Sequence, residues 1–407
     1  MTTLLRAPES TVSPTPPPVA PATRRPRVVY WNNIPAPYMV ERFNALARRD
    51  TLDFEAWFTE RLEPDRSWLV DEAGWEFRAR YVPAVRVAGR RVVVPLPAFT
   101  APVPDVFVSL YAEPPYLAGW WAMRRRGART AFWVEVTFDS WVRRRGWKEQ
   151  MKRWLFPRAD GILTVGADGS HFARRYGARP EQIHFTPHVI DVDFFAAGAD
   201  AARPQRERLR AELGLRGVTF LNIGRLWWGK GLGHLLDAFA ALQRRSADEV
   251  SLLLVGDGPE EAALRRRCAA EGIRNVVFVG FTHKPELPRL YIAADVFVFP
   301  TLGDPYGLVV DEAMACSLPV ISSTAAGEIR PRVEDQVTGF LVPPANSAAL
   351  LDRMEALALD PARRAAMGAA GRRAIAGHTP EQWAADFEEA VARLCAGGAA
   401  MRKGGSR

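Results

Sequence analysis

The sequence predicts an α/β protein built from two doubly wound domains. Three observations carry this. Short apolar runs alternate with amphipathic stretches of helical period from Val28 onward. The alternation stops once, over the Ala-, Arg- and Glu-rich residues 196–216, and then restarts. A length of 407 residues with 48% apolar side chains exceeds one ordinary domain and suffices for two cores.

The elements follow in order. Residues 1–25 carry Pro8, Pro14, Pro16, Pro17, Pro18 and Pro21 among Ser, Thr and Ala. That composition buries no core and predicts a disordered tail. The first domain, 26–195, opens with the strand Val28–Trp31, stopped by Asn32 and Asn33. Val106–Leu110, Ala131–Val134, Gly161–Val165 and Ile183–Phe185 read as further strands, and 39–49, 116–127, 147–156 and 168–176 as helices. The segment 73–104 has room for a hairpin. Strands spaced this way need crossover helices, hence a parallel sheet covered on both faces. Residues 196–216 contain no strand and suit a linker.

The second domain, 217–378, has strands at Val218–Ile223, Val250–Val255, Val276–Val279, Val296–Phe299 and Val320–Ser322, with helices near 232–244, 260–271, 285–293 and 309–317. Helical stretches near 347–358 and 361–376 follow, then a C-terminal helix over 379–395 and a fraying tail, 396–407. In open α/β sheets ligands bind beyond the carboxyl ends of the strands, so a cleft between the two domains is the expected site.

Composition narrows the partners. The net charge of +8 is local: residues 120–158 hold 11 basic and 3 acidic side chains. Cys268, Cys316 and Cys395 are far apart and lack metal-ligand spacing, which suits reduced thiols. No run of 18 apolar residues occurs, and the N-terminus lacks an apolar signal core, so a cytoplasmic protein is expected.

Two constellations carry chemistry. Gly224-Arg225-Leu226-Trp227-Trp228-Gly229-Lys230-Gly231 follows a strand and precedes a helix. Fixed cations, backbone N–H groups and a helix N-terminus together suit a diphosphate. The same run also fits a plain strand–helix turn with solvated charges. The second is Pro300-Thr301-Leu302-Gly303-Asp304-Pro305-Tyr306-Gly307-Leu308-Val309-Val310-Asp311-Glu312. Asp304 sits on a tight loop and Glu312 on the following helix, while the N–H groups of Gly307, Leu308 and Val309 open that helix. Such carboxylates can accept from sugar and ribose hydroxyls; equally, Asp304 could cap the helix and Glu312 could pair with a base.

Taken with Val255-Gly256-Asp257-Gly258-Pro259, Leu318-Pro319-Val320-Ile321 and Gly339-Phe340-Leu341-Val342, these motifs resemble, in order and spacing, the family 4 retaining glycosyltransferases (glycosyl transferases group 1) of the GT-B fold. The likeness covers essentially the whole second domain. It implies two Rossmann-like domains facing across a cleft, with the C-terminal helix returning to the first. It implies that Arg225 and Lys230, beside Gly224, neutralise the donor diphosphate, that Glu312 binds the ribose, and that Asp304 addresses the transferred sugar. Gly307, Leu308 and Val309 would hold phosphate, and Phe281 and Thr282 would lie in the base-binding loop. It implies no metal and no cofactor beyond a UDP- or GDP-linked sugar, with a glycan or lipid-linked acceptor in bacterial cell-surface polysaccharide or glycolipid synthesis.

The chain departs from that pattern twice. Asp304 stands where the family usually has Glu, one methylene longer. The family's first domain often offers a histidine to the reacting sugar, and here no histidine occurs before His171. Glu135, in Trp133-Val134-Glu135-Val136-Thr137, occupies that position as a cleft acid or base, a group orienting the acceptor hydroxyl, or a plain strand-end carboxylate. His188-Val189-Ile190-Asp191 stands where the family has Asn-Gly-Val-Asp, at the expected interdomain hinge.

Residues 120–158 interleave tryptophans with Arg and Lys; Trp147, Met151 and Trp154 share one helical face. An interfacial helix on an anionic membrane has this pattern, and so has a core stripe beside a solvated face. The first option makes the protein peripheral on the inner face of the membrane. A nucleic-acid-binding protein leaves the nearly neutral second domain unexplained. A dehydrogenase lacks the glycine fingerprint and the ribose acid beyond it. Asp191-Val192-Asp193 invites a metal reading, which the adjoining Phe194-Phe195 disfavour.

Overall fold

A computed structural model describes residues 24–62, 70–87, 90–111, 113–135, 146–246 and 249–404. Most of the expected tail 1–25, and residues 136–145 with Trp141 and Arg143–Arg145, lie outside the described residues. Fifteen strands are described. They are β1 (Arg27–Asn32), β2 (Asp53–Phe58), β3 (Arg78–Tyr81), β4 (Ala84–Val87), β5 (Arg90–Val93), β6 (Val106–Ser109), β7 (Arg129–Val134), β8 (Gly161–Thr164) and β9 (Ile183–Phe185) in the first half. The second half has β10 (Val218–Ile223), β11 (Val250–Val255), β12 (Val276–Gly280), β13 (Val296–Phe299), β14 (Val320–Ser323) and β15 (Gly339–Val342).

The two sheets repeat one plan. The first runs β3-β2-β1-β6-β7-β8-β9 and the second β12-β11-β10-β13-β14-β15, with parallel pairing throughout. Each winds outward from its first strand in one direction and then back in the other. A crevice therefore opens where the order reverses, at the carboxyl ends of β1 and β6 and of β10 and β13. The central strands are buried on both faces, which accounts for their continuous apolar runs.

Some elements differ from the sequence expectation. β2 and β3 extend the first sheet where no strand was read. β2 is Asp-Phe-Glu-Ala-Trp-Phe, and its acids interrupt the apolar run; buried Glu55 pairs with Arg80 and Arg27 instead of facing water. β3 is a short exposed edge, Arg-Ala-Arg-Tyr. The hairpin β4–β5 does fall within 73–104. β15 is an edge strand that the sequence showed only as a motif.

Residues 196–216 are not a bare connection. Helices Val192–Ala202 and Arg206–Glu212 occupy most of that stretch, and Phe195, Ala199 and Leu209 join Tyr291 and Phe297 in the second core. Their small and apolar residues recur at helical spacing, and the Asp191 side chain caps the first of them by accepting from Phe194 N–H at 2.9 Å. That cap gives Asp191 a local role at the start of the helix.

The last helix, Pro380–Gly404, runs past residue 395 and returns to the first half. Its Trp383 and Phe387 stack at 5.1 Å and lie in one apolar cluster with Tyr30 and Phe43. Among the described residues no helix is long and apolar enough to cross a membrane.

Candidate active site

Two loops leave the second sheet at its reversal point. After β10 the chain reaches Gly224, whose N–H donates to the Val255 carbonyl at 2.9 Å. One tight turn, Trp228–Lys230, then leads to Gly231 at φ +68°. A Cβ there would collide with the Pro300 carbonyl, so glycine lets this loop lie against the loop after β13. The two loops are laced by Leu302 N–H to the Gly229 carbonyl at 2.9 Å and by the Thr301 hydroxyl to the same oxygen at 3.1 Å.

That lacing joins the two constellations. Lys230 Nζ donates to Asp304 Oδ2 at 2.6 Å, and Asp304 Oδ1 accepts from Tyr306 N–H at 3.1 Å. Burial pushes the Asp304 carboxyl up, but the ammonium and the Tyr306 N–H outweigh it and hold it below the usual carboxylate range. Gly224 lies beside Lys230, 3.6 Å separating an added Cβ from Lys230 Cε. Arg225 is partly exposed at the mouth of the loop.

Gly307, at φ +79°, starts the helix Leu308–Ala315, and a side chain there would meet the Phe299 ring at 2.6 Å. The N–H groups of Leu308 and Val309 have no acceptor within their own helix, as at any helix start. Glu312, on the next turn, accepts from Tyr291 Oη at 2.7 Å. Burial pushes its carboxyl up to about 7, opposed by that hydroxyl and by Lys284. Phe281 and Thr282 are partly buried after β12, and the Phe281 ring packs edge-on to His283 at 4.9 Å.

On the other side, Glu135 follows the carboxyl end of β7 with about a third of its side chain exposed. Its Oε2 accepts from His188 Nε2 at 3.0 Å. His188 is itself buried, and its Nδ1 lies 2.9 Å from the Arg42 guanidinium. Tyr306, two residues beyond Asp304, donates its hydroxyl to the His188 carbonyl at 2.9 Å. A continuous chain therefore runs from Asp304 through Tyr306 and His188 to Glu135, across both halves.

Two more contacts bridge the halves. Lys284 pairs with Glu41 and lies 3.8 Å from Asp191. Glu328 accepts from Gly169 N–H at 3.0 Å through its carboxylate, while its own N–H donates to Asp168 Oδ2 at 3.1 Å.

The sequence reading named Lys230, Asp304 and Glu135 but missed His188 as the partner of Glu135, and Arg42 behind it. A signal existed. Arg42 falls on the apolar stripe of its helix with Met39, Phe43 and Leu46, all buried. A cation on a core face has to be compensated by something.

Among the described residues no three His, Cys, Asp or Glu side chains converge to hold a metal ion.

Residues 205–374 match the family described as glycosyl transferases group 1. A GDP-mannose-dependent alpha-(1-6)-phosphatidylinositol monomannoside mannosyltransferase of Mycobacterium tuberculosis is 30% identical over 327 residues, 73% of this chain and 82% of that protein. The D-inositol 3-phosphate glycosyltransferase of Xylanimonas cellulosilytica is 34% identical over 226 residues, 52% of each. The chain thus spans about half the length of several curated relatives it matches. In fold it resembles the Anabaena protein HepE in complex with UDP, at a TM-score of 0.72 and 18% identity over 89% of this chain and 99% of that one. The match to the mycobacterial protein over most of both lengths, together with the family match across the second sheet, makes this chain a member of the glycosyl transferases group 1 family.

Proposed function

We propose that the protein transfers a sugar from a UDP- or GDP-linked donor to a glycan or lipid-linked acceptor, with retention of anomeric configuration and without a metal or other cofactor. The observation that carries this reading is the Lys230–Asp304 pair at the reversal point of the second sheet, linked through Tyr306 and His188 to Glu135 on the first. The names of two relatives, one GDP-mannose-dependent and one a D-inositol 3-phosphate glycosyltransferase, support a nucleotide-linked donor and a hydroxyl acceptor.

In this reading Arg225 and Lys230 meet the donor diphosphate, beside Gly224 and the N–H groups of Gly307, Leu308 and Val309. Cations fixed there stabilise the leaving nucleotide as negative charge develops on it. Glu312 accepts from the ribose, and Phe281 and Thr282 line the base. Asp304, held ionised by Lys230, accepts from a hydroxyl of the transferred sugar. Glu135 orients the acceptor hydroxyl.

Calorimetric titration with UDP-, GDP- and ADP-sugars identifies the donor. Lys230→Ala and Glu312→Ala are each expected to abolish transfer while leaving the fold intact; turnover retained in both rejects the site.

A second reading concerns location. Trp121, Trp147 and Trp154 are exposed, and Arg125, Lys148 and Arg158 lie 5.0, 5.6 and 4.9 Å from their respective ring centroids. Large exposed aromatics among cations suit an anionic membrane surface, with roughly 1 kcal/mol per basic residue near it. The enzyme would then work peripherally on the cytoplasmic face. Flotation with phosphatidylglycerol vesicles tests this, and equal recovery with neutral vesicles rejects it.

A further inference from the structure

His188 sits where the chain leaves the first sheet, and every side of its ring is occupied. Tyr38, Trp133 and Tyr306 pack against it edge-on, with centroids at 5.6, 5.4 and 5.0 Å. Its two nitrogens face opposite chemistry. Nδ1 meets the Arg42 guanidinium and Nε2 meets the Glu135 carboxylate.

A guanidinium only donates, so Nδ1 must accept. The proton then lies on Nε2, and that N–H donates to Glu135. The other tautomer would set an N–H against the guanidinium and a lone pair against the carboxylate, and a flipped ring would set carbon against both, so one tautomer and one orientation are selected. Burial and the charge of Arg42 push the imidazole pKa down, against the opposing pull of Glu135, and the ring stays neutral.

Arg42 is fully buried. Its Nε donates to the Tyr38 carbonyl at 3.0 Å, its Nη1 has no partner among the described residues, and its cation lies over the Tyr38, Trp133 and Trp383 rings. The carboxylate that answers this charge is Glu135, reached through the imidazole. Hydrogen bonds in such a chain polarise and strengthen one another.

We propose that His188 is a positioning residue for sugar transfer: aimed by Arg42, it fixes the Glu135 carboxylate at the carboxyl end of β7. Through its backbone carbonyl and Tyr306 it also ties that carboxylate to the loop carrying Asp304. The proposal rests on the reading of the cleft as a transferase site. The bond to His188 uses Oε2 of Glu135, and about a third of that side chain is exposed, which would let Oε1 meet a substrate hydroxyl.

Two measurements on the full chain test this. The first is nucleoside-diphosphate release from UDP-glucose and GDP-mannose. His188→Leu is expected to lower kcat by about 10- to 100-fold with donor KM nearly unchanged, as for a reacting group displaced by a fraction of an ångström. His188→Gln, whose amide N–H can still reach Glu135, is expected to recover most of that loss. A wild-type kcat in His188→Leu overturns the proposal. So does an equal loss in both variants that follows a shared fall in Tm, because that is a structural role.

The second measurement is independent of activity. Nitrogen-15 spectra, with the His188 signals assigned by their absence in His188→Gln, are expected to show Nε2 protonated and Nδ1 bare across the neutral pH range. Glu135→Gln is expected to shift the Nε2 resonance. A proton on Nδ1, or resonances unmoved by Glu135→Gln, overturns the geometry. If the wild type releases nucleotide from neither sugar, the donor assignment fails, and the spectra still decide the role of His188.

Discussion

Replacing Glu312 by glutamine is expected to stabilise the unliganded protein, and by an amount that grows with pH. The carboxyl is partly buried, accepts from the Tyr291 hydroxyl, and has its pKa raised from 4.5 to about 7, chiefly by burial. In the folded chain it therefore binds a proton more tightly than in the unfolded chain. Stability falls as pH rises through that window, because ionisation is easier once the chain unfolds. The distance from 4.5 to about 7 corresponds to about 3 kcal/mol, fully developed above the folded pKa. Glutamine keeps an acceptor for Tyr291 and carries no charge to desolvate. Thermal unfolding of both proteins between about pH 4.5 and 8 reads the effect. The Tm difference is expected to be small at the acid end, to widen through neutrality and then to level off. A difference that is constant across the range sinks the reasoning, since glutamine would then act through packing alone. In the proposed donor site, a ribose donating hydrogen bonds to Glu312 would favour its ionised form, so nucleotide binding near pH 6 is expected to release protons.

Other perturbations have equally defined outcomes. Arg332 pairs with Asp311 at 2.6 Å, with both side chains buried, and also donates to the carbonyls of Tyr306, Gly327 and Glu328. Arg332→Ala strands the Asp311 carboxylate and is expected to cost about 3–5 kcal/mol; the double variant Arg332→Met/Asp311→Leu, followed by chemical denaturation, is expected to recover part of it. Glu328 is held at φ +52°, so Glu328→Ala keeps the left-handed strain that Glu328→Gly removes. Both lose the carboxylate, and the alanine variant is expected to be the less stable by about 1 kcal/mol; equal Tm values refute the strain. Gly307→Ala meets both a positive φ and the Phe299 ring, and is expected to weaken nucleotide binding in calorimetric titration, with unchanged affinity as the contrary result.

The second half was legible in the sequence because its strands are buried on both faces and read as uninterrupted apolar runs bounded by glycines. Val250–Val255 is buried throughout. The first half hid more. β2 carries Glu55 into the interior because β3 and β1 supply arginines to meet it, and pairing of that kind between distant residues has no local trace. Helices Val192–Ala202 and Arg206–Glu212 looked like a connection, since alanine and arginine on a helix mark no face until a partner surface is known. In the site, Lys230 and Asp304 were each visible by motif, and their direct contact, 74 residues apart in sequence, follows from the lacing of two loops. His188 stayed hidden because its role depends on three partners from three separate segments: Arg42, Glu135 and Tyr306.

The return of the Pro380–Gly404 helix to the first half makes the second half an insertion, entered near residue 190 and left near residue 378. Both described ends of the chain therefore ride on one body. Dyes attached near Arg24 and Gly397 would report a fixed separation however widely the cleft opened. A pair spanning Trp121 and Trp228, one on each half and both exposed, would sense the opening directly. Grafting follows the same logic: a foreign second half has to be joined at two seams, and a single fusion point cannot supply both.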